Sequence, residues 1–236
     1  MAAGLLHVSD LHTGTHAEPD VERALARLVE RLEPQLVVAS GDLAHRGRGE
    51  ELDRAAELLG SLGPPVLAVP GNHDIPHTPA RFVHPWREFE RVWETTEPTA
   101  SLPGLHVVGL NSARPLRHQG GALSRAQLAH AAERLGAAEA GALRVAVFHH
   151  HLIGAPWRTA RKFPVSQRSR VLAALVEAGA ELILGGHIHQ AAVSERREFE
   201  VLDDGARTVV VAVAPGLGQP RPRRAGEARG LQLHEA

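Results

Sequence analysis

Five short sets of polar residues hold most of the chemistry available to this chain: Asp10 with His12, Gly41-Asp42, Gly71-Asn72-His73-Asp74, His149-His150-His151, and Gly186-His187-Ile188-His189. Cysteine is absent, which removes thiol nucleophiles, disulfides and thiolate metal sites together. Any metal must therefore be held by His, Asp, Glu or Asn. Carboxylate, imidazole and amide donors without sulfur suit divalent Mn, Fe, Zn or Co. The donors exceed one coordination shell once water and substrate are counted, so two divalent metal ions are expected. Two such ions about 3.5–4 Å apart clamp a phosphoryl group, acidify a bridging water and aim it in line with the leaving oxygen. That is a hydrolase design.

Such groups need rigid elements to bring them together. Leu5 to Val8, Leu36 to Ser40, Val66 to Val69, His106 to Leu110, Leu143 to Phe148 and Glu181 to Leu184 are apolar runs that predict buried strands. Val21, Leu25, Leu28, Val29 and Leu32 repeat at helical spacing, as do Leu52, Ala55, Ala56, Leu59 and Leu62. Phe82, Trp86, Phe89 and Trp93 share one helical face, Ser124 caps a helix running to Leu135, and Val171, Leu172, Leu175 and Val176 mark another. Strands alternating with helices favour a parallel sheet with covered faces. After His189 the pattern changes to antiparallel strands over Ala192 to Ser194, Phe199 to Leu202 and Thr208 to Ala214, with a turn at Asp203-Asp204-Gly205. A Pro/Arg/Gly-rich loop is expected from Gly216 to Gly230, and no domain boundary interrupts residues 1–236. Each chemical set follows a predicted strand, and the carboxyl ends of strands in an open α/β sheet converge on one ligand-binding edge. The glycines before Asp42, Asn72 and His187 allow sharp turns and close backbone approach there.

Composition narrows the function further. Among the 236 residues, Lys+Arg 26 against Asp+Glu 27 leave a net charge of -1, so no global basic field draws in nucleic acid or an anionic membrane. The first residues lack a basic region followed by an apolar core and cleavage site, and no apolar run approaches the roughly 20 residues that span a bilayer. A cytoplasmic protein without membrane contact is the expectation.

Each set taken alone is also an ordinary cap or turn; their joint occurrence in this order after strands is not. The order resembles the calcineurin-like metallophosphoesterase superfamily. Val8-Ser9-Asp10-Leu11-His12, Val69-Pro70-Gly71-Asn72-His73-Asp74 and Gly109-Leu110-Asn111-Ser112-Ala113-Arg114 bring it closest to the bacterial branch that includes class III cyclic-nucleotide phosphodiesterases. The similarity runs from about Leu5 to Ala214. It implies an α/β fold, a four-layer α/β/β/α sandwich of two mixed sheets. It further implies that Asp10, His12 and His189 hold one metal, that Asn72, His187 and a histidine of the triplet hold the other, and that Asp42 bridges them. The family's ligand is the first histidine after the strand, here His149, with His150 one residue on as the alternative; His151 stands where the family has proline. His73 resembles the residue that touches the phosphoryl oxygens and protonates the leaving group, a role suited to imidazole with its ordinary pKa near 6.5. Asp74 either orients His73 or caps the next turn. Asn72, His73 and Arg114 are the expected substrate contacts, Arg being a bidentate phosphate partner.

The expected activity is hydrolysis of a small or nucleotide-like phosphodiester by a metal-bridging hydroxide. Protein Ser/Thr phosphatases resemble Arg followed by Gly-Asn-His-Glu, whereas Pro70 and Asp74 stand at those places here. A nuclease is the alternative within the class, with Arg46, Arg48 and Arg54 or Arg221, Arg223 and Arg224 as its basic groove; a phosphomonoesterase is another. A weakly catalytic metal-binding module is the alternative outside it. Substrate choice is expected in His77 to Trp93 and in Gly154 to Gln167, which includes Trp157, Arg158, Arg161 and Lys162.

Overall fold

A computed structural model describes residues 4–15, 19–117, 119–154, 162–198, 207–218 and 229–235. Strands β1 (Gly4–Val8), β2 (Leu36–Ala39) and β3 (Val66–Ala68) pair in parallel, and β10 (Gln232–Glu235) closes the free side of β1 antiparallel. The second sheet runs β4 (Thr99–Leu102), β5 (Leu105–Gly109), β6 (Leu143–Val147), β7 (Leu182–Gly185), β9 (Arg207–Val213) and β8 (Ala192–Glu198). Its four central strands are parallel and its two edge strands antiparallel.

Strand alternation divides the apolar residues between layers. Leu5, Val38 and Leu67 face Val107, Val145, Val147 and Leu184 in a core between the sheets. Leu6, Val8, Val37 and Ala39 point the other way, toward Leu25 and Val29 of α1 (Pro19–Leu32) and Leu52, Ala55 and Leu59 of α2 (Gly49–Gly60). On the far side, Val108, Ala146 and Ile183 pack against Leu128, Ala131 and Leu135 of α5 (Arg125–Gly136) and Val171 and Leu175 of α6 (Arg168–Glu177). The result is the α/β/β/α sandwich of two mixed sheets, not the single parallel sheet that the crossovers alone suggest. Of the predicted stripes, α1 buries Leu25 and Val29 but exposes Leu28, α2 buries Leu52, Ala55 and Leu59, and α6 buries Val171, Leu175 and Val176; Ser124 caps α5 by accepting from the Gln127 amide at 3.1 Å.

Three local expectations need correction. The aromatic face from Phe82 to Trp93 is broken into α3 (Ala80–Val83) and α4 (Arg87–Trp93), because Pro85 disfavours helical backbone at His84 and cannot donate a helical hydrogen bond. Of its four aromatics only Phe89 is fully buried, while Phe82 is exposed. The strand opening at Ala192 continues to Glu198, and the expected strand Phe199 to Leu202 with its Asp203-Asp204-Gly205 turn lies outside the described residues. The edge strands β4 and β10 escape the sequence reading, since neither Thr99-Ala100-Ser101-Leu102 nor Gln232-Leu233-His234-Glu235 is an apolar run.

The segment between β2 and α2 is fastened by Glu51. This buried side chain accepts from the amides of Arg46 at 2.7 Å and Arg48 at 3.3 Å, and its carbonyl accepts from the Thr13 hydroxyl. Hydrogen bonds to a charged group contribute about 1.5–3 kcal/mol each. Glu51→Ala is therefore expected to lower unfolding stability by about 2–3 kcal/mol, read as a fall in the urea midpoint with unchanged slope; a loss under 0.5 kcal/mol, the size of an ordinary surface change, contradicts this role.

Candidate metal centre

The carboxyl ends of β1, β2, β3, β6 and β7 meet where the two sheets adjoin, and the chain leaves them in an unusual conformation. Asp10, His12, Asp42, His187 and His189 have φ of 53°, 48°, 53°, 72° and 53°, in the left-handed region that costs a non-glycine residue of order 1–2 kcal/mol. Backbone hydrogen bonds across strand ends hold this geometry: Asp10 donates to Gly41 at 2.9 Å, His12 to Asp42 at 3.0 Å and Gly186 to His149 at 2.8 Å. At Gly71 and Gly186 only glycine fits, by approach rather than by φ. A Cβ on Gly71 would lie 2.2 Å from Asp42 Oδ1, and one on Gly186 would lie 1.9 Å from Ser9 Oγ.

One potential ligand atom from each of Asp10, His12, Asp42 and His189 lies within 4.8 Å of the others, and the same holds for Asp42, His149 and His187. Asp42 belongs to both groups. Its Oδ2 stands 3.3 Å from His149 Nε2 and 3.9 Å from His12 Nε2, while Oδ1 accepts from the His73 amide at 2.8 Å. Asp10 Oδ2 accepts from Ser9 Oγ at 2.6 Å and from the His187 amide at 3.0 Å, which turns Oδ1 to His189 Nε2 at 2.9 Å. His149 Nδ1 donates to the Ser40 carbonyl at 2.9 Å, so Nε2 is the nitrogen that faces the cluster.

Such an arrangement is hard to satisfy with protons alone. His12 Nε2 and His189 Nε2 are 3.2 Å apart, as are His149 Nε2 and His187 Nδ1. Both amide atoms of buried Asn72 and Nε2 of buried His187 lack hydrogen-bond partners. Buried polar atoms are nearly always paired, and a divalent cation is what convergent carboxylate, imidazole and amide donors accept. The donor set therefore fits metal. Burial would push the Asp42 carboxyl up, but the imidazoles of His149, His73 and His12 outweigh it and hold it well below the usual range. Asp10 is likewise held low against its burial, chiefly by His189. Burial drives His12 and His187 well below the ordinary imidazole value, keeping them neutral, the form that coordinates. His149 rises to about 9 despite its burial, because the Asp42 carboxylate lies against it.

The triplet histidines diverge. His149 joins the Asp42 group, whereas His150 turns Nδ1 to Ser112 Oγ at 2.9 Å and packs beside His187 with ring centroids 4.7 Å apart. His151 is buried, stacks on His187 at 5.8 Å and is lowered to about 4, first by burial and then by the nearby His149. His73 is half-buried, with its ring edge-on to His12 at 4.8 Å and Nδ1 on the His45 carbonyl at 2.8 Å. Asp74 does not cap the turn that follows it. Its two oxygens accept from the Ala44 and Gly71 amides at 2.7 Å each, tying the loops after β2 and β3 together; burial and the nearby Asp42 raise its carboxyl to about 7. Arg114 donates to the Asn111 and Ala113 carbonyls at 3.1 and 3.0 Å and to Gln127, so its guanidinium is held by its own loop and α5. Lys162 donates to the His187 carbonyl; Trp157, Arg158 and Arg161 lie outside the described residues, as do Arg221, Arg223 and Arg224.

Sequence reading overlooks Ser9, Ser40 and His45. A signal was present: Ser9 and Ser40 both stand at a strand end directly ahead of Asp10 and Gly41-Asp42, and His45 follows Asp42 by three positions.

Comparison with known proteins agrees with this geometry. The chain matches the family described as "Calcineurin-like phosphoesterase" over residues 4–191, a span containing all seven candidate ligands. It is 27% identical over 215 residues to a "Probable cyclic nucleotide phosphodiesterase" of Synechococcus sp., covering 83% of this chain and 77% of that one. It is 39% identical over 80 residues to the glycerophosphodiester phosphodiesterase GpdQ of Enterobacter lignolyticus, a stretch covering 30% of this chain and only 29% of that relative. A dimetal phosphatase from Danio rerio shares the fold with a TM-score of 0.66 at 15% identity, over 98% of this chain and 91% of that one. Because the family match spans most of the sequence and the sandwich is that of its structural relatives, this chain belongs to the calcineurin-like phosphoesterase family.

Proposed function

We propose that the protein is a metal-dependent phosphoesterase that hydrolyses a small or nucleotide-like phosphodiester. The observation that carries this reading is the sharing of buried Asp42 by two separate donor groups. Similarity to a probable cyclic nucleotide phosphodiesterase and to a glycerophosphodiester phosphodiesterase supports a diester over a monoester. Two divalent ions, Mn, Fe, Zn or Co, would be held by Asp10, His12, Asp42 and His189 on one side and by Asp42, Asn72, His149 and His187 on the other. When bound, such a pair polarises phosphoryl oxygens and supplies hydroxide near neutral pH.

The chain's own contribution is orientation and one proton. Ser9 and the His187 amide fix the Asp10 carboxylate, and the Ser40 carbonyl fixes the His149 tautomer. With Nδ1 on the His45 carbonyl, His73 has Nε2 as the nitrogen that delivers a proton to the departing ester oxygen. Asn72 and His73 would contact the phosphoryl group. Arg114 is not assigned to substrate, given its bonds to its own loop. Two arginines of the nuclease reading are paired with carboxylates, Arg48 with Glu50 at 3.4 Å and Arg54 with Glu22 at 3.2 Å, so a basic groove there finds little support. No helix among the described residues is long and apolar enough to cross a membrane.

Hydrolysis of bis-p-nitrophenyl phosphate with added manganese tests the reading. Asp42→Asn is expected to lose both bound metal and turnover, whereas His73→Ala keeps metal stoichiometry and loses about 10²- to 10⁴-fold in kcat, the usual worth of general acid catalysis. Full metal loading of the wild type with no turnover of any phosphodiester or phosphomonoester would sink it in favour of a binding module. Ser9→Ala is expected to weaken one of the two metal equivalents by about 10- to 100-fold, as loss of an outer hydrogen bond to a ligand does, measured by competition with a chelating dye. Equal weakening of both equivalents contradicts the assignment of Asp10 to a single ion.

A further inference from the structure

A third group of donors stands beside the pair and shares His12 with it. One ring nitrogen from each of His12, His45 and His73 lies within 4.8 Å of the other two. The His45 ring stacks on His73 with centroids 5.7 Å apart and planes 19° apart, and the His12 ring meets both at 71° and 88°. His45 Nδ1 is shut off from solvent and has no hydrogen-bond partner. His73 commits Nδ1 to the His45 carbonyl at 2.8 Å, which makes Nε2 its coordinating atom. Three imidazoles without a carboxylate form a set that suits zinc, copper, nickel or cobalt far better than manganese or magnesium, which prefer oxygen.

We propose that His45, His73 and His12 form a third cation site at the mouth of the metal pair, taking imidazole-seeking ions such as zinc and inhibiting hydrolysis when filled. The site itself stands on the three rings; its inhibitory effect rests on the proposed role of His73. A cation here engages the nitrogen through which His73 would protonate the leaving oxygen. It also competes for His12, which the first ion of the pair already draws on. The third ion thus receives two full ligands and a contested one, and binds more weakly than the pair. Inhibition appears only as free zinc rises above the concentration that loads the pair.

Equilibrium dialysis with zinc, together with cobalt absorption spectra of the same protein, tests the site without reference to activity. Wild type is expected to bind two equivalents tightly and a third more weakly, the third adding its own cobalt spectrum. His45→Ala leaves the backbone carbonyl that anchors His73 in place. It should keep the two tight equivalents, which also reports that it is folded, and lose the third. The zinc concentration for half inhibition of bis-p-nitrophenyl phosphate hydrolysis should rise by at least roughly tenfold in that variant, since losing a ligand costs no less than losing an outer partner. Excess manganese should not inhibit wild type. A wild type that binds only two equivalents, a third equivalent that survives His45→Ala, or an unchanged inhibitory zinc concentration overturns the proposal. A third, His45-dependent equivalent in a protein that hydrolyses no phosphoester would sustain the site and defeat the phosphoesterase reading instead.

Discussion

The structure depends on one buried carboxylate, Asp42, being pressed among imidazoles. A lone ionised carboxylate is costly to bury, and Asp42 is fully enclosed. What stabilises it is close on every side: His149 Nε2 at 3.3 Å, His12 Nε2 at 3.9 Å and the His73 amide at 2.8 Å. These groups come from three strand ends in two different sheets. Two of these imidazoles reach further rings at 3.2 Å, His12 to His189 and His149 to His187, so the carboxylate sits within a connected set of histidines. The positive φ values of Asp10, His12, Asp42, His187 and His189 follow from the same demand, because each side chain must turn sharply off a strand to reach the shared centre. Backbone strain of this kind persists where surrounding structure over-determines it. Here that structure is the cross-strand bonding of Asp10 to Gly41 and of Gly186 to His149.

Why two sheets serve better than one follows from the count of donors. Parallel strands about 4.8 Å apart put their carboxyl ends in a row, and a row delivers only a few neighbouring side chains to a point. Facing β1 to β3 against β5 to β7 across an apolar core of Leu5, Val38, Val145 and Val147 brings a second row within reach. Asp42 from the first sheet then meets His149 and His187 from the second. His7 shows how polar the join becomes near the centre: within the inter-sheet face it bonds Ser40 Oγ at 2.9 Å and Gln232 at 3.1 Å, and burial lowers it to about 3. Ser40 in turn offers its carbonyl to His149. The edge strand β10 is thus linked through Gln232, His7 and Ser40 to a candidate ligand.

Much of this could be read from the sequence because the signals are local. β2 and β7 are continuous apolar runs, and β1, β5 and β6 are each interrupted by a single polar residue, His7, His106 and Arg144; strands covered on both faces need no alternation, and each run leads to a chemically distinct set. Asp10, His12, Asp42, His187 and His189 were legible for that reason. The edges were not: β4 and β10 carry half-polar patterns that resemble turns as much as strands. Asp74 shows a different limit. Its carboxylate bonds Ala44, which is 30 residues away in the chain, and no spacing rule within Gly71-Asn72-His73-Asp74 encodes a partner on another loop. The spacing of His45 from Asp42 stands in the sequence, but its stacking on His73 belongs to the fold. The same limit applies to Arg114, whose partners Asn111 and Ala113 are local but whose third, Gln127, belongs to α5.

The division between chemistry and selectivity follows from which parts are over-determined. The donor cluster is buried and cross-bonded, and any phosphoryl group presents it with the same oxygens. In the proposed function, recognition of the rest of a substrate would fall to segments outside that lattice. One is the stretch after β3, where Pro85 splits α3 from α4 and leaves Phe82 and Val83 exposed. Arg81 donates through Nε and Nη2 to the Pro115 carbonyl at 3.1 and 2.9 Å, joining this stretch to the loop after β5, where Leu116 is also exposed. Loops of two different sheets are thereby tied at one edge, as their strands are. A change in α3 would be felt by the Arg114 loop through that clasp, while Asp42 and its imidazoles, fixed by their own bonds, stay where they are.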